Sequence, residues 1–160
     1  MTKRLTQDQH SGLMRSQRAL LKATEWAAEV QTVFTQYFAD PRTKANLAVS
    51  FEPVEAGLGA RFSTPFGEGR VVSVPSLLDD RVQIRYIFEK AFTFEDGRIG
   101  YANFAEIRID AEGVVTATDG ERLAAMNSLY ESETSQAVVE IAMSVIYALG
   151  SNTQYFVTTE

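Results

Sequence analysis

The chain has 160 residues, of which 45% are hydrophobic and 22% charged, ordinary values for one globular domain that buries a core without metals or disulfides. It has no cysteine, which removes disulfide frameworks, thiolate nucleophiles and cysteine metal sites together. Its net charge of −6 disfavours nucleic acid as a partner, because phosphate contacts need clustered Lys and Arg, and no apolar run reaches the roughly 20 residues that span a bilayer. The segment after Lys3 and Arg4 is polar where a secretory leader would be apolar, so the sequence reads as cytoplasmic.

Charge is unevenly placed. Residues 1–22 hold Lys3, Arg4, Arg15, Arg18 and Lys22 against Asp8 alone, a net +4, and the other residues carry −10. Residues 1–11 are expected to form a flexible basic amino terminus and 12–160 a single α+β domain.

From Leu13 to Phe38 there is no proline, and Leu13, Leu20, Ala27, Val30, Phe34 and Phe38 recur at helical spacing. The helix can start at Thr6, with Gln9 completing a capping box, or at Ser11, and it should end at Ala39 because Asp40 precedes Pro41. Taken from Gly12 it would be about 42 Å long. Alternation then begins: Leu47, Val49 and Phe51 form one strand, Leu58, Ala60 and Phe62 a second, and Arg70–Val74 a third ending at Pro75. Ser76–Asp80 reads as a connection with Leu77 and Leu78 tucked inward.

The clearest pattern lies between Arg81 and Asp110. Val82, Ile84, Tyr86 and Phe88 alternate with polar residues, and Asp96-Gly97 suits a two-residue type I′ turn joining strands 81–95 and 98–110. That turn sets Phe92 against Tyr101, Phe88 against Ala105, Tyr86 against Ile107 and Ile84 against Ile109. Asp110–Gly113 suits a type I turn that brings Val115 opposite Ile109. After Gly120, Leu123, Met126 and Tyr130 return to helical spacing, leading to one helix or two with a break near Ser132, a stop at Gly150 and a short final strand at Thr153–Thr158. The expected fold is a long amino-terminal helix, an antiparallel meander of five to six strands and a carboxy-terminal helix. They form a two-layer sandwich or a sheet curled around a helix, with Val138, Ile141 and Val145 packed on the 81–110 hairpin.

Chemistry-bearing residues are few. His10 is the single histidine, at a chain end, and the acidic groups Asp79-Asp80 and Glu131 with Glu133 read as solvated surface. Lys90 interrupts an apolar face with Asn103 placed opposite, which suggests a pocket floored by these two and walled by Tyr86, Phe92 and Tyr101; a β-bulge near Lys90 is the competing reading. On the other face Ile87 and Phe104 form a modest apolar stripe. With Arg15, Arg18, Lys22 and Trp26 of the first helix, these make the candidate interface. No cofactor or metal is implied. The expectation is a non-catalytic protein-interaction module that associates with itself as a homodimer or small oligomer; the alternative is a ligand-binding protein or enzyme using the Lys90 pocket.

Overall fold

The computed structural model describes residues 4, 6–78, 81–128 and 130–151. Its elements are α1 (Gln7–Ala39), α2 (Pro41–Leu47), β1 (Ser50–Pro53), β2 (Gly59–Thr64), β3 (Gly67–Leu78), β4 (Arg81–Thr93), β5 (Ile99–Asp110), β6 (Val114–Ala117), β7 (Arg122–Ala125) and α3 (Glu131–Ser151). The strands pair in sequence order, all antiparallel, as one seven-stranded sheet that curls into a half-barrel. The two long helices pack on it, α1 against β1, β4 and β5 and α3 against β5, β7 and α1.

The helix ends follow local chemistry. The Thr6 hydroxyl accepts from the Gln9 N–H at 3.2 Å and the Gln9 side chain accepts from the Thr6 N–H at 2.9 Å, a complete capping box. Asp40 then serves two helices. It closes α1, and its carboxylate accepts from the Arg42 and Thr43 N–H groups to start α2, with Pro41 in the first turn, where a missing N–H costs nothing. Leu47 therefore ends a short helix instead of opening a strand, and the first strand begins at Ser50.

Phe34, 1% exposed, sits at the hub of the core, its ring 6.0 Å from Phe51, 6.0 Å from Phe88 and 6.2 Å from Tyr86. One turn earlier the core holds a polar joint. The side-chain oxygen of buried Gln31 accepts from the Tyr86 hydroxyl at 2.8 Å and from the Gly59 N–H at 3.0 Å, tying α1 to β2 and β4. Both donors would otherwise be buried without partners, at roughly 1–3 kcal/mol each.

Three segments differ from the sequence pattern. β3 does not stop at Pro75: it runs to Leu78, and Pro75 pairs with Ile84 beyond the last β2 partner, Val72, where β3 has a neighbour on one side only and proline is tolerated. Leu77 and Leu78 are consequently exposed, at 61% and 44%. Residues 122–125 form β7 instead of helix, because the Gly120 N–H donates to Ala117 O and the Ala117 N–H to Glu121 O, closing a hairpin on β6. Four residues are too few for periodicity to separate strand from helix. α3 is a single helix from Glu131 that runs through Gly150; it packs on β5 of the 81–110 hairpin as the pattern implies, with Val138, Ile141 and Val145 in the shared core and Val145 lining the same small space as Phe88, while β4 is covered mainly by α1. Asp79, Asp80 and the expected strand at Thr153–Thr158 lie outside the described residues.

The 81–110 hairpin keeps its core register but not its turn. The Gly97 N–H donates to Phe94 O and the Phe94 N–H to Arg98 O, with Gly97 at φ 84°, so the loop has three residues and pairs Thr93 with Ile99. A bulge between Phe88 and Glu89, which leaves Phe104 of β5 unpaired, restores Phe88↔Ala105, Tyr86↔Ile107 and Ile84↔Ile109. Asp110–Gly113 and the pairing of Ile109 with Val115 are as the sequence predicts.

Burial pushes the Tyr86 phenol well above its ordinary value. Because the folded protein holds it neutral while the unfolded chain ionises near pH 10, its contribution to stability is complete below pH 10 and falls as pH rises beyond it, by about 1.4 kcal/mol per pH unit. Tyr86→Phe should lower stability at pH 7 by about 1 kcal/mol and flatten the stability loss above pH 10 relative to the parent, as read by urea denaturation across pH 8–11.

Candidate interaction surface

α1 is longer than the sheet it covers. At 1.5 Å per residue its 33 residues span about 50 Å, and its fully buried positions begin only at Ala23 and continue through Ala27, Val30, Gln31, Phe34 and Phe38. Upstream, the same stripe of positions runs on through Leu20 and Leu13, but Leu13 is 55% exposed, and Met14 and Leu21 beside it are 59% and 65% exposed. Leu20 still packs on the core, so residues 7–19 overhang it by roughly 20 Å.

Trp26 marks where the helix leaves the sheet. Its indole N–H donates to Ala111 O at 3.2 Å, and its ring covers Gly113, where an added Cβ would come within 3.0 Å. Gly113 has φ 83° in the turn after β5, and the Asp110 carboxylate accepts from the Glu112 and Val114 N–H groups in the same turn. The clasp fixes the turn against α1.

Beyond the clasp, helix and sheet diverge to leave a groove of about 950 Å³. Gly12, Leu13, Ser16 and Ala19 line its helix side, and Leu77, Arg81 and Val82 its sheet side. Asp8, Gln9 and Arg15 on the helix and Asp110, Ala111 and Glu112 on the turn complete it, so apolar and charged side chains share its lining. Leu77 and Val82 are paired neighbours on β3 and β4, so the groove continues the helix–sheet interface past the point where the core fills it.

The residues singled out in the sequence are dispersed. The bulge at Phe104 inverts side-chain alternation along β5. Below it Ile107 and Ile109 face the core; above it Tyr101 and Asn103 lie on the outer face, Tyr101 under the Arg70 guanidinium at 3.7 Å and Asn103 paired with Glu89. Lys90 pairs with Ala102, not Asn103, and runs over Gly67, where a Cβ would meet its Cε at 3.1 Å. Phe92 stands over Gly100 with its ring 4.9 Å from Phe94, and Tyr86 is inside the core. Neither the groove nor a small apolar space of about 10 Å³ among Phe34, Phe51, Phe88 and Val145 is lined by any of the five.

The stripe expected from Ile87 and Phe104 does not form either. Phe104 turns to the core side, 6.1 Å from the Phe62 ring and 6.3 Å from that of Phe88. Ile87, 6% exposed, stays on the outer face between its partners Val72 and Glu106. Around it Arg70 bonds Glu89 at 2.6 Å, and Arg85 and Arg108 share Glu106 at 2.7 and 3.1 Å. Of the helix residues, Arg15 and Arg18 are exposed on the overhang and Lys22 is held by Glu25 at 3.0 Å. Leu77 lies in the groove, paired with Val82 and exposed, where the sequence pattern predicts it tucked into a connection. Its signal is the alternation of Pro75 and Leu77 across from Ile84 and Val82, which the proline masks because it ordinarily ends a strand.

Comparison with known protein families, curated proteins and solved structures returns no match.

The clasp is open to a direct check, since Trp26 is the single tryptophan. Gly113→Ala introduces a Cβ against the indole at a positive φ, and should shift Trp26 emission to longer wavelength and lower stability by about 1–2 kcal/mol. Unchanged emission would place the indole elsewhere.

Proposed function

We propose that this chain is a non-catalytic protein-interaction module that acts as a homo-oligomer. Its working surface is the overhanging half of α1 with the groove beneath it, and the occupant is the same helix half of a second copy. The observation that carries the reading is the continuation of the core stripe of α1, through Leu13, into a region where the sheet no longer covers it. An apolar stripe of this kind gains about 25 cal/mol for each Å² taken from water, which favours covering it.

Charge supports the choice of occupant. Residues 1–22 carry +4 against −10 on the rest of the chain, and Asp110 and Glu112 stand at the groove where Arg15 and Arg18 of an incoming helix would pass. A specific interface needs at least about 1,000 Å² in total, so the reading requires two reciprocal helix-in-groove contacts. The alternative of a ligand pocket at Lys90 and Asn103 draws no support from the geometry, because the two side chains are offset by the bulge and lie on opposite faces.

Leu13→Asp is the test. The side chain is half exposed, so the fold should be kept, with an unchanged circular dichroism spectrum, while the sedimenting mass falls and salt weakens association of the parent. A parent protein that sediments as a monomer at high micromolar concentration would overturn the self-association.

A further inference from the structure

β5 is paired unevenly. Its far edge meets β6 only at Ile107, Arg108 and Ile109, and from Ile99 to Glu106 its backbone makes no hydrogen bond on that side among the described residues. The Phe94 N–H bonds Arg98 O, and antiparallel ladders alternate inward and outward pairs from there, so Ile99, Tyr101 and Asn103 present their N–H and C=O groups outward.

The other open edges carry the features that discourage strand addition. β1 has Glu52 and Pro53, the part of β3 beyond Val72 has Pro75, and β7 is four residues long with exposed Arg122. Residues 99–105, Ile-Gly-Tyr-Ala-Asn-Phe-Ala, have neither charge nor proline.

We infer that this edge is a second self-association surface, on which β5 of a second copy pairs antiparallel about a two-fold axis at Tyr101. The regular edge begins at Ile99 and ends at Asn103, where the bulge at Phe104 interrupts it, so Tyr101 is its centre. In this register Tyr101 meets Tyr101, Gly100 meets Ala102 and Ile99 meets Asn103. A symmetric pair sets a strand against its own sequence, and like charges opposite each other would oppose it; this stretch has none. Gly100 and Ala102 are small, and Ile99 (64% exposed), Tyr101 (40%) and Phe94 (36%) offer apolar surface beside the seam. The surface lies at the opposite end of β4 from the groove and shares with the proposed function only the premise of self-association.

Ile99→Lys combined with Asn103→Lys sets ammonium groups against each other on both sides of the axis and should weaken association at least tenfold by sedimentation velocity, with an unchanged circular dichroism spectrum. Ile99→Lys combined with Asn103→Glu puts opposite charges at the same two places and should restore it. Leu13→Asp combined with the lysine pair should leave a monomer, while each alone stops at a dimer held by the other surface. If the lysine pair sediments as the parent does, the edge is not used, whatever Leu13→Asp shows. If the lysine pair and the lysine–glutamate pair dissociate equally, the pairing is wrong. In the unaltered protein the Tyr101 and Asn103 amides should gain protection from hydrogen exchange as concentration rises; protection equal at low and high concentration would mean that the chain covers its own edge and would overturn the inference.

Discussion

One extra residue in β5 holds the sheet to its core. The three-residue loop at Glu95–Gly97 starts the hairpin with Thr93 opposite Ile99, and carried without interruption to the base that register would set Ile84 against Arg108 and Tyr86 against Glu106. A slip of one residue exchanges the two faces of a strand, so the core would receive charges from β5. Phe104, inserted opposite the Phe88–Glu89 step, absorbs the difference, and Ile107 and Ile109 return to the core beside Tyr86 and Ile84. The same insertion turns Phe104 itself inward against Phe62 and Phe88, and turns Tyr101 and Asn103 out. Core packing below the bulge and the open, uncharged edge above it are two results of one local event.

The second constraint is a mismatch of lengths. α1 is anchored at three levels: the aromatic hub at Phe34, the Gln31 oxygen shared by Tyr86 and Gly59, and the Trp26 clasp on the turn after β5. All three lie in its second half. The capping box at Thr6 and the unbroken hydrogen bonding of the helix carry the residues before Leu20 into water regardless, and Leu13 and Met14 go with them. The overhang is therefore set by local helix chemistry, while the end of the core is set by the reach of the sheet.

Much of this was legible in the sequence. The limits of α1, the Asp110–Gly113 turn and the core pairs of the hairpin follow from capping residues, glycine positions and alternation, each of which acts over a few residues. What was not legible depends on neighbours. Pro75 ends a strand only where both edges are paired, and the sequence does not say that β2 stops short of it. Residues 122–125 become a strand because β6 is beside them, and helical spacing at Leu123, Met126 and Tyr130 carries no information about that. The length of the strand predicts a bulge near Lys90, yet the extra residue falls in the partner strand, and this displacement separates Lys90 from Asn103.

The sheet has a further property that comes from its order. Among the described residues every strand pairs only with the strand next to it in sequence, without a crossover. Loop closure costs little when the partners are near neighbours, so the sheet can grow by successive short closures, and the contacts of longest sequence separation are left to the helices, in the meeting of α1 with α3 and the Tyr37 hydroxyl beside Met143. Folding speed should then be governed by how fast the two ends of the chain find each other across a meander already formed, and destabilising the α1–α3 contact would act mainly on the rate of folding.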